Sequence, residues 1–115
     1  MTDIKSNSRI IVADDHGIVR MGLIQTIQKL RPNAVISEVE DYKSLYKEIL
    51  HNKFDLAIMD VNMPNGSIQE AIDYLKMHQP HLKILVFSSQ DEELYAMRSQ
   101  ISWSKVFRLR NFPIS

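Results

Sequence analysis

Residues 55–66 read DLAIMDVNMPNG, in which four apolar residues are followed by a carboxylate and then by loop-forming residues. Continuous rather than alternating apolar runs are typical of strands buried on both faces, so residues 56–59 predict an inner strand of a parallel sheet. Asp60 then lies at the carboxyl end of that strand. In α/β proteins this edge of the sheet holds the functional site.

Similar apolar runs occur before and after this stretch, at residues 10–13, 35–39 and 84–87. The run at 35–39 is interrupted by Ser37 and Glu38, which favours an edge strand. Between the runs, apolar residues recur with helical spacing within 19–30, 42–50, 68–75 and 94–101. Strands that alternate with helices predict an α/β fold with a parallel sheet.

The composition limits the classes of protein to which the chain can belong. It has 115 residues, of which 44% are hydrophobic, and this is the length of one domain. Its 14 basic and 14 acidic side chains balance, so charge provides no general attraction to nucleic acid or to a membrane surface. The absence of cysteine excludes disulfides and thiolate metal sites. No apolar run approaches a membrane span and the first residues are polar, so we expect a cytoplasmic protein.

Acidic and hydroxylated residues follow three of the predicted strands. Asp14 and Asp15 follow the first, Asp60 the third, and Ser88 the fourth. Three close carboxylates repel one another unless a cation compensates, and Mg²⁺ is the natural partner of such a site. A carboxylate beside Mg²⁺ can attack a phosphoryl group, which makes Asp60 the candidate nucleophile. The alternative is that these residues only form turns or cap helices, as Asp15 does equally well.

In three segments the chain resembles the receiver domains of two-component response regulators, in particular those of LuxR/FixJ type. The segments are IVADDH at residues 11–16 with RMGL at 20–23, DLAIMDVNMP at 55–64, and KILVFS at 83–88. The resemblance implies a flavodoxin-like, doubly wound fold: a parallel five-stranded sheet of order 2-1-3-4-5, here with the last helix missing. It also implies a leader at residues 1–8, a receiver domain at 9–110 and a tail at 111–115.

The resemblance implies a role for each matching residue. Asp60 is the expected phospho-acceptor, and Asp14 and Asp15 help it to hold Mg²⁺, with the backbone carbonyl of Asn62 as a further ligand. Ser88 is expected to hydrogen-bond the phosphoryl group and to shift toward it. Asn62 and Gln90 occupy the two positions that tune the dephosphorylation rate in this family.

The chain departs from the family after about residue 100. Receivers carry a Lys at the end of the fifth strand, and counting from the fourth strand places Arg110 at that position and Phe107 at that of the switch aromatic. Trp103 and Val106 stand where the family usually has Gly. Lys105 is a stand-in for the family Lys only if the register slips. We expect Trp103 to be exposed rather than buried.

The resemblance also implies partners and an activity. The partners are a sensor histidine kinase, a second copy of the chain in a homodimer, and DNA only through an effector domain outside this chain. The activity is signalling rather than enzymatic, with only slow self-phosphorylation and autodephosphorylation. One alternative is a degenerate receiver that binds partners independently of phosphorylation. A haloacid dehalogenase-type phosphatase is less favoured, because it needs an Asp where Asn62 stands.

The histidines lack the spacing of metal ligands, so we expect all of them to be surface or loop residues. They are His16, His51, His78 and His81.

Overall fold

A computed structural model describes residues 8–88 and 102–109 of the chain. Its five strands are β1 (Arg9–Ala13), β2 (Val35–Val39), β3 (Leu56–Asp60), β4 (Lys83–Phe87) and β5 (Val106–Leu109). They form one parallel sheet in the order β2-β1-β3-β4-β5. This order confirms the predicted doubly wound fold and places β2 at an edge, as its polar interruptions predicted.

Three helices connect the first four strands: α1 (Gly17–Leu30), α2 (Tyr42–His51) and α3 (Ile68–His78). The hydroxyl of Ser67 caps α3 by accepting a hydrogen bond from the Glu70 N–H at 3.0 Å. The carboxylate of Asp41 caps α2 in the same way. Such side chains satisfy backbone donors that have no partner within the helix. The helix predicted at 94–101 and the missing last helix concern residues outside the described ranges.

The two faces of the sheet pack into two separate cores, which explains why the strand sequences are apolar without alternation. In β1, Ile11 and Ala13 contribute to the larger core, together with residues of α2 and α3. Ile10 and Val12 of the same strand point into the second core, against Leu23 of α1. Each inner strand therefore needs apolar side chains on both faces.

The side chain of Gln79 anchors the segment that leads into β3. Its amide nitrogen donates to the carbonyls of Ile49 and Asn52, at 2.9 and 2.7 Å. Its amide oxygen accepts from the Phe54 N–H at 2.9 Å. One side chain at the end of α3 thus fixes the end of α2 and the start of the strand that carries Asp60.

The ends of the described ranges show two features that bear on the sequence expectations. Ser8, which falls in the expected leader, is buried, and its carbonyl accepts a hydrogen bond from the Val35 N–H at 2.9 Å. Trp103 is half-buried against the larger core. The expectation that Trp103 is exposed was therefore wrong, because this core extends to the segment that precedes β5. Within the described ranges, no helix is both long and apolar enough to cross a membrane.

Candidate functional site

Three neighbouring strands deliver polar residues to one edge of the sheet. Asp60 is the last residue of β3 and pairs with Phe87 of β4, and Ser88 follows directly. Ala13, the last residue of β1, pairs with Met59, so Asp14 follows β1 beside Asp60. Parallel strands end at the same edge, and the predicted convergence of these residues is what the geometry shows.

Four side chains form a compact cluster at this edge. Asp14, Asp15, His16 and Asp60 each offer a potential ligand atom, and these atoms all lie within 4.8 Å of one another. The Asp14 side chain is only 1% exposed and that of Asp60 8% exposed, whereas the Asp15 side chain is 29% exposed. The cluster is therefore buried on the sheet side and open on the Asp15 side.

His16 is the member of the cluster that sequence reasoning missed. Its Nδ1 lies 3.2 Å from Asp14 Oδ1, 3.1 Å from Asp15 Oδ1 and 3.6 Å from Asp60 Oδ2. Although His16 is exposed, as expected, its ring atom faces all three carboxylates. The sequence did contain one indication of this contact: His16 comes directly after two acidic residues at a strand end. The hydrogen bond that the ring donates to Asp14 and the charge of Asp15 raise the pKa of His16 above 6.5.

The local environment makes the Asp60 carboxylate difficult to ionise. Burial is the largest cause of a pKa raised to about 6, and the nearby charges of Asp14 and Asp15 add to it. The Asn62 N–H opposes these effects by donating to Asp60 Oδ1 at 3.0 Å. The sequence predicted mutual repulsion of the carboxylates, and the structure adds desolvation as the larger effect.

The residues of the cluster fit a divalent cation. Asp14 Oδ2 and Asp15 Oδ1 are both buried, and neither accepts a hydrogen bond from the described part of the chain. Asp15 Oδ1 lies near His16 Nδ1, but the hydrogen bond of that nitrogen is to Asp14. Buried carboxylate oxygens without a donor are costly, and a bound cation removes that cost. Oxygen donors of this kind are the ligands that Mg²⁺ prefers.

Arg20 fixes the turn that carries Asp14. From the first turns of α1, its Nη1 donates to the Asp14 carbonyl at 2.6 Å and its Nε to Glu38 Oε1 at 2.8 Å. The side chain therefore ties the end of β1 to β2. In the sequence, Arg20 belongs to a segment that carries the family resemblance, and no role was expected for it.

The other predicted site residues have different outcomes. Ser88 is buried directly after Phe87, which pairs with Asp60, whereas Phe107 on β5 is 53% exposed. Lys105 directly precedes β5 and so lies at the amino ends of the strands, opposite the acidic cluster. Its Nζ donates at 2.8 Å to the carbonyl of Pro80, which precedes β4. β4 and β5 keep the register that was counted from the sequence, with Phe87 opposite Leu109, so the condition under which Lys105 would replace the family Lys is not met. Gln90 and Arg110 lie outside the described residues.

Comparison with known sequences gives a consistent assignment. The sequence profile of the family described as the response regulator receiver domain matches residues 10–101. Oxygen regulatory protein NreC from Staphylococcus haemolyticus is 30% identical over 106 residues, which are 91% of this chain and 49% of NreC. The chain thus spans about half the length of the curated relatives it matches.

Solved structures share the fold. RcsB from Salmonella enterica serovar Typhimurium, bound to promoter rprA in the presence of the phosphomimetic BeF3−, superposes with a TM-score of 0.72 at 26% identity, covering 93% of this chain and 62% of RcsB. A LuxR-family two-component response regulator from an Aurantimonas species gives a TM-score of 0.69 at 26% identity, covering 88% of this chain and 72% of that one.

Proposed function

The chain belongs to the response regulator receiver domain family, and from that membership we propose that Asp60 accepts a phosphoryl group from the phosphohistidine of a sensor histidine kinase. The observation that carries this proposal is the position of Asp60, buried at a strand end beside two further carboxylates, each of which has one buried oxygen that accepts no hydrogen bond from the described residues. The three carboxylates and the Asn62 carbonyl are the proposed ligands of Mg²⁺. When bound, the cation neutralises charge on the nucleophile and on the incoming phosphoryl oxygens.

The hydrogen bonds of Asp60 favour one of its oxygens as the nucleophile. The Asn62 N–H engages Oδ1 and so orients the carboxylate, which leaves Oδ2 for attack. In the proposed step a bond forms between Oδ2 and phosphorus. The bond from phosphorus to the kinase imidazole breaks, and its electron pair stays on the imidazole nitrogen. Attack requires the ionised carboxylate, which predominates at neutral pH because the raised pKa is still about 6.

In this proposal, the residues around Asp60 convert the negative charge of the added phosphoryl group into a change in the shape of the domain surface. Ser88 is buried at the end of the neighbouring strand, where its hydroxyl donates to a phosphoryl oxygen in our proposal. The proposed response then reaches the exposed Phe107 and the surface formed by β5 and the helix predicted at residues 94–101. Arg110 is the proposed ion-pair partner of the phosphoryl group, and Asn62 and Gln90 tune its lifetime.

The proposed biological role is control of transcription within a longer cytoplasmic protein. We place the receiver domain at residues 9–110, between the leader and the tail. The match to half of NreC supports an additional effector domain, and RcsB has been seen bound to promoter DNA. Homodimer formation through the receiver belongs to the same proposal. The chain itself acts as a signalling domain rather than an enzyme, with slow self-phosphorylation and autodephosphorylation.

Neither alternative function is favoured. The family profile covers most of the chain and includes the acidic cluster, so a degenerate receiver has no support from these residues. A haloacid dehalogenase-type phosphatase needs an acid at the position of Asn62, where this chain has an amide.

Intact-mass spectrometry after incubation with Mg²⁺ and acetyl phosphate tests the proposal. Wild-type protein gains one phosphoryl group that hydroxylamine removes, and it gains none without metal. Asp60→Asn gains none, whereas the control Asp73→Asn, which changes an exposed carboxylate of α3, behaves as wild type. A wild-type protein that stays unmodified with metal and donor, or an Asp60→Asn protein that is still modified, contradicts the proposed acceptor.

A further inference from the structure

The ring of His16 lies where a ligand of the bound cation would lie. Its Nδ1 is 3.1 to 3.6 Å from one oxygen of each of the three carboxylates. Donor atoms that share one cation at about 2.0–2.2 Å are about 3–3.5 Å apart in tetrahedral or octahedral geometry. His16 Nδ1 therefore lies at the spacing of a fellow ligand from one oxygen of Asp14 and one of Asp15, and slightly farther from Asp60 Oδ2.

The backbone, rather than the ring alone, holds His16 in this position. Its own N–H donates to Asp14 Oδ1 at 2.9 Å. Its carbonyl accepts from the Arg20 N–H at 2.9 Å, in the first turn of α1. The residue is thus fixed on both sides of its Cα, and the imidazole needs no rearrangement of the chain to remain at the cluster.

An independent observation indicates that the cluster is built for a ligand. The Asp14 side chain is almost fully buried, yet its Oδ2 has no hydrogen-bond donor within the described residues. His16 satisfies Oδ1 of the same carboxylate and leaves Oδ2 without a partner. The His16 side chain alone therefore leaves one oxygen of Asp14 without a partner. A cation that contacts both His16 and Asp14 would provide that partner.

We propose that His16 is a direct ligand of the cation through Nδ1 and that it shifts the metal preference of the site. This inference rests on the proposed metal site and deepens it. One imidazole nitrogen with three carboxylate oxygens suits transition-series cations such as Co²⁺ and Zn²⁺. Mg²⁺ favours an all-oxygen set and gains little from the nitrogen. The ring thus determines which divalent cation binds most tightly.

Isothermal titration of the full chain with Co²⁺ and with Mg²⁺, at one neutral pH, tests the role of His16. The variants are His16→Gln and the control His51→Gln, since His51 is exposed on α2 and its Nδ1 hydrogen-bonds the Lys47 carbonyl. We expect His16→Gln to lose about tenfold or more in Co²⁺ affinity and much less in Mg²⁺ affinity. The visible absorption of bound Co²⁺ changes in His16→Gln and stays unchanged in His51→Gln, because only the former loses a nitrogen ligand.

Four outcomes separate this inference from the proposed function. Equal losses for both cations in His16→Gln, or tighter binding of both, overturn the inference, because the ring then acts by position or by occupying space. An unchanged Co²⁺ spectrum overturns it as well. If wild-type protein binds neither cation, the proposed metal site itself fails. Circular dichroism of each variant confirms that the fold is kept.

Discussion

At the scale of single residues, the site depends on how far each carboxylate is buried. The sequence was sufficient to bring Asp14, Asp15 and Asp60 together, because each follows a strand and parallel strands end at one edge. It was not sufficient for His16, because the contact of its ring depends on the turn between β1 and α1. Spacing along the chain contains no information about that turn, and the histidines were dismissed on spacing alone.

The raised pKa of Asp60 predicts a pH-dependent effect of Asp60→Asn on stability. The folded pKa of about 6 exceeds the ordinary 3.8, so folding favours the protonated carboxyl group. The resulting stability is fully present below about pH 4 and is lost as the pH rises through 6. Asn cannot ionise, so the Asp60→Asn variant does not undergo this loss of stability as the pH rises. Without metal, we expect the variant to become more stable relative to wild type as the pH rises between these values. The difference in the free energy of unfolding should reach about 1–3 kcal/mol at pH 7.

Urea denaturation from pH 4 to pH 8 without divalent cations measures this difference. Asp73→Asn is the matched control for the change from carboxylate to amide on an exposed helix surface. A difference between Asp60→Asn and wild type that is the same at every pH would show that the Asp60 charge does not strain the folded protein.

At the scale of elements, the strands and helices follow their patterns closely where local sequence determines them. The apolar runs become β1, β3 and β4, and α3 begins at Ile68, where the helical spacing of apolar residues begins. The approach to β5 was less predictable. Lys105 has a positive φ of 61° and its ammonium binds Pro80, a contact that depends on the packing of β4 and β5. Such contacts depend on how segments that are far apart in the sequence pack together, and sequence patterns do not reveal this packing.

Gln79→Ala tests the anchor between α3 and the start of β3. The substitution leaves two carbonyls and one N–H without their side-chain partner. We expect a loss of about 2–4 kcal/mol in the free energy of unfolding, because each partly buried group left unpaired costs about 1–3 kcal/mol and water recovers part of that cost. Gln69→Ala, on the exposed surface of α3, should change the stability by less than about 0.5 kcal/mol. Equal effects of the two variants would contradict the anchoring role.

Gly66→Ala tests how tightly the loop after β3 packs on α2. A Cβ at residue 66 would lie 2.5 Å from Cδ2 of the Tyr42 ring, which is buried. We expect a loss of about 1–3 kcal/mol from this overpacking. Gly22→Ala is the matched control, because a Cβ there meets nothing within 4 Å. In the middle of α1 it should raise the stability by about 0.5–1 kcal/mol. Thermal unfolding of both variants measures the contrast, and a neutral Gly66→Ala would show that the loop packs loosely.

At the scale of the whole molecule, function is concentrated at one edge of a sheet in a chain without net charge. The fold class and the acidic site were predictable because alternating patterns and strand ends specify them, whereas the strand order was implied by the family resemblance. The response surface was less predictable, since it involves residues on β5 and beyond that depart from the family pattern. The family profile ends at residue 101, before β5 begins.

Cation binding should stabilise the whole domain through the acidic cluster. Mg²⁺ at about 100 times its Kd adds about 2.7 kcal/mol to the free energy of unfolding if it binds only the folded chain. Asp14→Asn should lose most of this gain, because Asp14 is the most deeply buried carboxylate of the cluster. Asp73→Asn should keep it. Thermal melts with and without Mg²⁺ measure the gain, and an equal gain in both variants would place the cation elsewhere.

The central claim is that Asp60 is the phospho-acceptor, and mapping of the modified residue tests it most directly. Wild-type protein is incubated with Mg²⁺ and acetyl phosphate and then reduced with borohydride, which converts an aspartyl phosphate into homoserine. Peptide mass spectrometry then locates the converted residue. We predict homoserine at position 60 alone, and none after incubation without metal. Homoserine at position 14 or 15, or at no position in protein that is correctly folded, would contradict the account.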